Sequence, residues 1–129
     1  MKSILIGVVS FLLFVFFQTQ GVYGGDSGDL VSAAVRRGVA HPPGYPLYTL
    51  LGWIVSRVPV VTPAWRVSLL SSLPHAGVVA LLFLILCRVT RRSWAALFAC
   101  LALAGNYVFF LYSVTPEVFA LFDFFIMLL

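Results

Sequence analysis

The run VSLLSSLPHAGVVALLFLILC, from Val67 to Cys87, holds no acid, lysine or arginine. Its length matches the ~20 residues that an α-helix needs to cross a hydrocarbon core. Arg66 precedes it and Arg88, Arg91 and Arg92 follow it, as basic residues do at the ends of a span. Pro74 and His75 interrupt it about a third of the way along, which a membrane helix tolerates where neighbours satisfy the freed carbonyl. The rest of the chain agrees: 62% of residues are hydrophobic, 16% aromatic and 9% charged, with a mean hydropathy of +1.08. That composition lies outside soluble globular usage and inside the membrane class.

The net charge of +4 gives no reason to expect a nucleic-acid partner, because the basic residues stand singly or in pairs at the edges of apolar runs. Membrane lipid is the partner they fit. Cys87 and Cys100 lie within apolar runs, without metal-like or redox-like spacing, and read as small buried hydrophobes.

Outward from the 67–88 span, the short turn RVTRRS leads to a second apolar run, Trp94 to Tyr112, read as a span over 93–112. Pro116 opens another apolar segment, 116–129, of only about a dozen residues after Glu117, so the sequence reads as the N-terminal piece of a longer protein. Upstream, the run from Ile4 to Phe17, extended through Val22, reads as a first span over 1–23. A signal peptide or signal-anchor accounts for the same residues, with Lys2 before the apolar run and Val22-Tyr23-Gly24 as a cleavage site. The expected fold class is all-α, a polytopic membrane protein.

Arg88, Arg91 and Arg92 form the densest basic cluster and assign the turn after the second span to the cytoplasm. The loop 24–66 and the Thr115-Pro116-Glu117 turn then face outward, which places Asp26, Asp29 and Glu117, three of the four acids, on one side. Arg36, Arg37, Arg57 and Arg66 weaken this charge bias, less so if they lie in interfacial helices.

The loop reads as two such helices. Asp26 or Ser27 caps the first, Asp29 lies in its first turn, Arg36 and Arg37 in its last, and Gly38 stops it. After AHPPG, Pro46 opens the second, with Leu47, Leu50, Leu51, Ile54 and Val55 at helical spacing until Pro59 ends it. At about a dozen residues it cannot span and suits the headgroup layer.

Asp26 and Asp29 have two readings. As capping acids they are worth ~1 kcal/mol to the helix and nothing more. As reactive groups they sit just beyond a span, with Gly24, Gly25 and Gly28 leaving room for a ligand, and partial desolvation would raise a carboxyl toward a usable base. His41 is either a turn residue or, beside Arg36 or Arg37, an anion-binding group. No second His or Cys stands near it to suggest a metal site, and a divalent metal requirement stays open. Glu117 reads as a first-turn acid, His75 as a bond to a neighbouring helix, and Asp123 as an acid inside an apolar segment that needs a partner not evident from sequence.

The segments GGDSGDLVSAAVRRGVAHPPGYPLYTLLGWIVSRVP, WRVSLLSSL and TPEVFAL, in that order, resemble the N-terminal part of the protein O-mannosyltransferase-like family. Its pattern is a GDSGEL-like segment after the first span, then AHPPGYPLY, a WR-N-like start to the second span and an SE-V-like segment at the fourth. Here Asp29 stands for the usual Glu, Ser68 where Asn is commoner, and Pro116-Glu117 for Ser-Glu. The resemblance covers roughly Val22 to Leu121.

It implies a GT-C-like module of an inverting membrane glycosyltransferase. Such an enzyme moves a sugar, mannose in the better-known case, from a polyprenyl-phosphate donor to a Ser or Thr hydroxyl of a protein acceptor. The work is done on the outer or lumenal face, of a bacterial inner membrane or of the endoplasmic reticulum. By the same resemblance Asp26 is the general base and Asp29 orients the acceptor or Asp26. His41, with Arg36 or Arg37 and Tyr45, holds the donor phosphate, and Glu117 supports the acceptor side. No cofactor beyond the lipid-linked donor is implied, and this piece alone is expected to be inactive. A non-catalytic membrane scaffold or subunit and a transporter remain as alternatives; acids gathered in an outer loop disfavour the transporter, whose site would lie near the midplane.

Overall fold

The computed structural model describes residues 1–129 and contains seven α-helices and no strands. They are α1 (Lys2–Phe17), α2 (Ser27–Arg36), α3 (Pro46–Ser56), α4 (Pro63–Thr90), α5 (Ser93–Ala104), α6 (Tyr107–Val114) and α7 (Phe119–Leu128). The central helix is α4, against which all the others pack. At 28 residues it is about 42 Å long and is the one helix long and apolar enough to cross a membrane alone.

The local signals explain where α4 begins. Thr62 is the N-cap, its hydroxyl accepts the Trp65 N–H at 3.1 Å, and Pro63 occupies the first turn. The helix therefore starts a turn before the apolar run that begins at Val67. Arg66 accordingly lies within it, and its guanidinium donates to the Ser56 carbonyl at 2.6 Å and to the Val58 carbonyl. The charge closes the C-terminal end of α3, where a helix dipole favours a cation.

Three apolar segments depart from the expected layout. The first helix ends at Phe17 rather than running to Val22, because the chain beyond it is claimed by α4 and α6. Gln18 Nε2 donates to the Trp65 carbonyl, and the Thr19 N–H donates to the Val114 carbonyl at 3.0 Å. The 93–112 segment is two helices bent by 69°, with Gly105 ending α5 and the Asn106 side chain capping α6 through the Val108 and Phe109 N–H groups. Together α5 and α6 pass for one broken span; α1 and α7 are apolar but shorter. Finally, Pro116 does not open the last helix, which begins at Phe119, because Ser71 fixes the chain before it: its Oγ accepts the Glu117 N–H at 3.0 Å and lies 3.1 Å from the Glu117 carbonyl.

Ser71 belongs to a polar seam. Ser68, Ser71, Ser72 and His75 recur at helical spacing on α4, and each is at most 1% exposed. Ser72 Oγ lies 2.7 Å from Gln18 Oε1, 2.9 Å from the Ser113 carbonyl and 3.2 Å from the Ser68 carbonyl, so its one proton always has an acceptor. His75 stacks on Phe109 with ring centres 4.2 Å apart. Its Nδ1 is 2.8 Å from Ser113 Oγ and its Nε2 is 3.2 Å from Asp123 Oδ2, which supplies the partner that Asp123 required. Ser113 gives its own proton to the Phe109 carbonyl at 2.6 Å, so its oxygen is left to accept from His75 Nδ1. Such bonds hold helices together where no hydrophobic effect separates helix from lipid tail. Contact elsewhere is close: a Cβ on Gly77 would lie 2.5 Å from the Phe124 ring, and one on Gly52 2.8 Å from Ala34 Cβ.

Candidate active site

The loop helices form where their punctuation is. Ser27 to Arg36 is helical, but Arg37 rather than Gly38 takes the left-handed conformation that ends α2, at φ 56°. Gly38 stands one residue further on and donates its N–H to the Ala33 carbonyl at 2.9 Å, closing the end as a Schellman-type cap does. Pro46 starts α3 as expected, and the helix stops at Ser56, before Pro59. Leu30, Ala34, Tyr48 and Val67 bury together and seat both helices on the N-terminal half of α4.

Asp26 stands at the N-cap of α2 yet makes no side-chain capping bond. Asp29 does not cap either. Its Oδ2 accepts the His41 backbone N–H at 2.7 Å and lies 2.8 Å from His41 Nδ1. Asp26 Oδ2 approaches the other ring nitrogen, Nε2, at 3.4 Å. The Asp29 grip on both the backbone and the ring fixes the orientation of His41, and Tyr45 closes against the imidazole edge-on at 5.5 Å. Tyr45 adopts φ 43°, which turns the chain from HPPG into α3. The side chains of His41, Asp29 and Asp26 are 37%, 47% and 59% exposed, so the cluster is open to a ligand on one side.

The electrostatics follow from this geometry. The His41 backbone N–H, and then its ring, hold the Asp29 carboxyl below its usual range. The hydrogen bond to Asp29, with the charges of Asp26 and Glu117 behind it, raises the His41 imidazole above 6.5 against a smaller opposing effect of burial. Glu117 is only 8% exposed; burial and the nearby Asp26 charge push its carboxyl up. Asp26 and Asp29 thus meet at one histidine, and the charge of Glu117, from the opposite end of the sequence, also acts on it.

The arginines go elsewhere. Arg37 lies with its guanidinium carbon 3.7 Å from the centre of the Trp53 ring, and Arg57 approaches the same ring at 5.2 Å. Arg37 and Trp53 line a cleft of about 520 Å³ together with Pro43, Gly44 and Thr49. Arg36 ends α2 with an exposed side chain and takes no part in the His41 cluster. The expected grouping of His41 with Arg36 or Arg37 around a phosphate is therefore not the arrangement found: His41 meets two carboxylates, which repel an anion, while Arg37 faces a separate cleft. No group of three or more His, Cys, Asp or Glu side chains is arranged to hold a metal ion.

Sequence reasoning passed over Ser71, and took Trp53 and Tyr48 only as aromatics that suit α3 to the headgroup layer. Tyr48 is 3% exposed and its hydroxyl has no hydrogen-bond partner, beside a Ser71 already committed to Glu117. The polar spacing of 68, 71, 72 and 75 inside an apolar run was the available signal for Ser71. Nothing in the sequence marked Tyr48 over its neighbours.

Residues 26–129 match the family model described as the protein O-mannosyl-transferase TMEM260 N-terminal domain. The chain belongs to this family. It is 31% identical over 121 residues to the protein O-mannosyl-transferase tmem260 of Dictyostelium discoideum, and 36% identical over 118 residues to the protein O-mannosyl-transferase TMEM260 of Mus musculus. These alignments take in 92% and 91% of this chain but 15% and 17% of the relatives, so the chain spans under a fifth of their length. No solved structure matches it. The family match begins at Asp26, and so includes every member of the His41 cluster.

Proposed function

We propose that this segment supplies the acidic loop of a membrane-bound, inverting, GT-C-type protein O-mannosyltransferase. The full-length protein moves mannose from a polyprenyl-phosphate donor to a Ser or Thr hydroxyl on the outer or lumenal face. The names of the relatives support mannosyl transfer to protein. The observation that carries the site is that neither Asp26 nor Asp29 caps α2; both turn to His41 instead, and Asp26, the more exposed, keeps an open side.

In this reading Asp26 is the general base. The acceptor oxygen attacks the anomeric carbon, the bond from that carbon to the phosphate oxygen breaks, and the phosphate leaves with the electron pair on its lipid. The acceptor proton passes to Asp26. Asp29 positions Asp26 indirectly, through His41. The cleft beside Arg37 and Trp53, with Arg36 and Tyr45 nearby in the loop, is the place for the donor phosphate, where a guanidinium offers paired donors. Glu117, buried and close to Asp26, supports the acceptor side. The pairing of Asp123 with His75 gives that acid a structural use and removes the main reason to read the chain as a transporter.

The test is mannose transfer by the full-length protein carrying Asp26→Asn. Loss of roughly 10²- to 10⁴-fold in kcat is expected, the range of a general base. Transfer at the wild-type rate would remove Asp26 from the mechanism.

A further inference from the structure

We propose that His41, clamped by Asp29, is the relay that carries the acceptor proton away from Asp26, and is not a holder of the donor phosphate. This rests on the reading of Asp26 as base. The geometry of one ring carries it: Nδ1 lies 2.8 Å from Asp29 Oδ2, and that same oxygen accepts the His41 backbone N–H at 2.7 Å. A carboxylate oxygen only accepts, so Nδ1 carries a proton beside Asp29; Nε2 faces Asp26 at 3.4 Å, and when the ring is neutral it is this nitrogen that is free to accept a proton from Asp26. Tyr45 closes the ring edge-on, and no arginine reaches the imidazole.

Proton balance gives the relay its use. When Asp26 takes the acceptor proton it becomes a carboxylic acid, with the departing lipid phosphate and the new glycoside in front of it. Transfer of that proton to Nε2 restores the Asp26 carboxylate and leaves an imidazolium between two carboxylates. The imidazolium then loses the proton to water from its exposed side, and His41 returns to the tautomer it began in. The step is downhill, since an imidazole is a stronger base than a carboxylate. Asp26 before α2, Asp29 on α2 and Tyr45 ahead of α3 face His41, and the charge of Glu117, in the turn before α7, acts on it from further off. All three charged ones are acids, which favour the imidazolium.

The two roles for His41 predict opposite pH dependence. A relay must be neutral to accept, so kcat rises with pH through the imidazole pKa; a phosphate holder must be charged, so activity falls there. The experiment follows turnover of polyprenyl-phosphate mannose with a Ser/Thr peptide by the full-length protein, in detergent, from pH 5 to 9. The expected wild-type kcat climbs through an apparent pKa above ~6.5. His41→Gln lowers kcat by roughly 10²-fold, leaves the donor KM within about twofold and moves the rising limb toward the carboxylate range. Asp29→Asn changes kcat in the same direction by less. Added imidazole restores part of the activity of His41→Ala, a rescue that a merely structural histidine would not permit.

A rise in donor KM at unchanged kcat, a wild-type profile that falls with pH, or His41→Ala that melts normally and ignores imidazole overturns the relay. The wild-type profile stands even if a variant fails to fold. Should Asp26→Asn remain active, the reading beneath the proposal fails; should Asp26→Asn be dead and His41→Gln fully active, only the relay does.

Discussion

His41 and His75 bridge their neighbours in the same way and to different ends. Each has Nδ1 against one partner at 2.8 Å and Nε2 facing an aspartate, at 3.4 Å for His41 and 3.2 Å for His75. His75 is 1% exposed on the seam of α4, with Ser113, Asp123 and the Phe109 ring filling its surroundings. His41 has 37% of its side chain exposed, beside two half-open carboxylates. A buried polar group must be satisfied or it costs the fold, so His75 is a clamp. An exposed group already has water, and the precise hold on His41 is therefore not required by stability.

Changes at the two places should separate activity from folding. The largest effect is the Asp26→Asn loss in transfer rate, and it should come without a change in melting temperature. Next, Ser72→Val leaves the Gln18 and Ser113 acceptors short of a donor in a buried seam, at a cost of about 1–3 kcal/mol. That variant should melt earlier in detergent, while whatever remains folded transfers at the normal rate; an unchanged melt would mean that the seam is not a clamp.

Smaller effects sharpen the contrast further. Because Asp26 makes no capping bond, Asp26→Ala should cost no more than about 0.5 kcal/mol, against the ~1 kcal/mol of a capping aspartate. Thermal melts at neutral pH decide between the two. Arg37→Ala removes a stacked cation at the surface of the cleft, worth about 0.5–1 kcal/mol, and should raise the donor KM more than it lowers kcat.

Much of the fold was legible because its signals are local. Pro46 opens α3, Asp26 precedes α2, and the apolar run from Val67 lies within α4. What was not legible was set by contacts across the chain. Phe17 ends α1 because Gln18 and Thr19 are wanted by Trp65 and Val114, and the last helix starts late because Ser71 holds Glu117. The Asn106 cap was written in the sequence, but a continuous apolar run hid it. At the site, the residue types Asp26, Asp29 and His41 were evident, whereas their pairing was not: HPPGYP folds His41 back onto residues that lie 12 or more positions earlier, a distance no periodicity reports.

The claim at the centre is that Asp29 and Asp26 belong to His41 rather than to the end of a helix. Its pH behaviour has a definite sign. With the Asp29 carboxyl lowered and the His41 imidazole raised, the charged contact is complete between those two values. It is lost as pH falls through the Asp29 pKa, and lost again as pH rises through that of His41. The most direct measurement is an NMR titration of the His41 ring in the wild type and in Asp29→Asn. The wild-type ring should titrate above ~6.5 and fall back toward that ordinary value in the variant. A His41 that titrates at the ordinary value in both proteins would contradict the account.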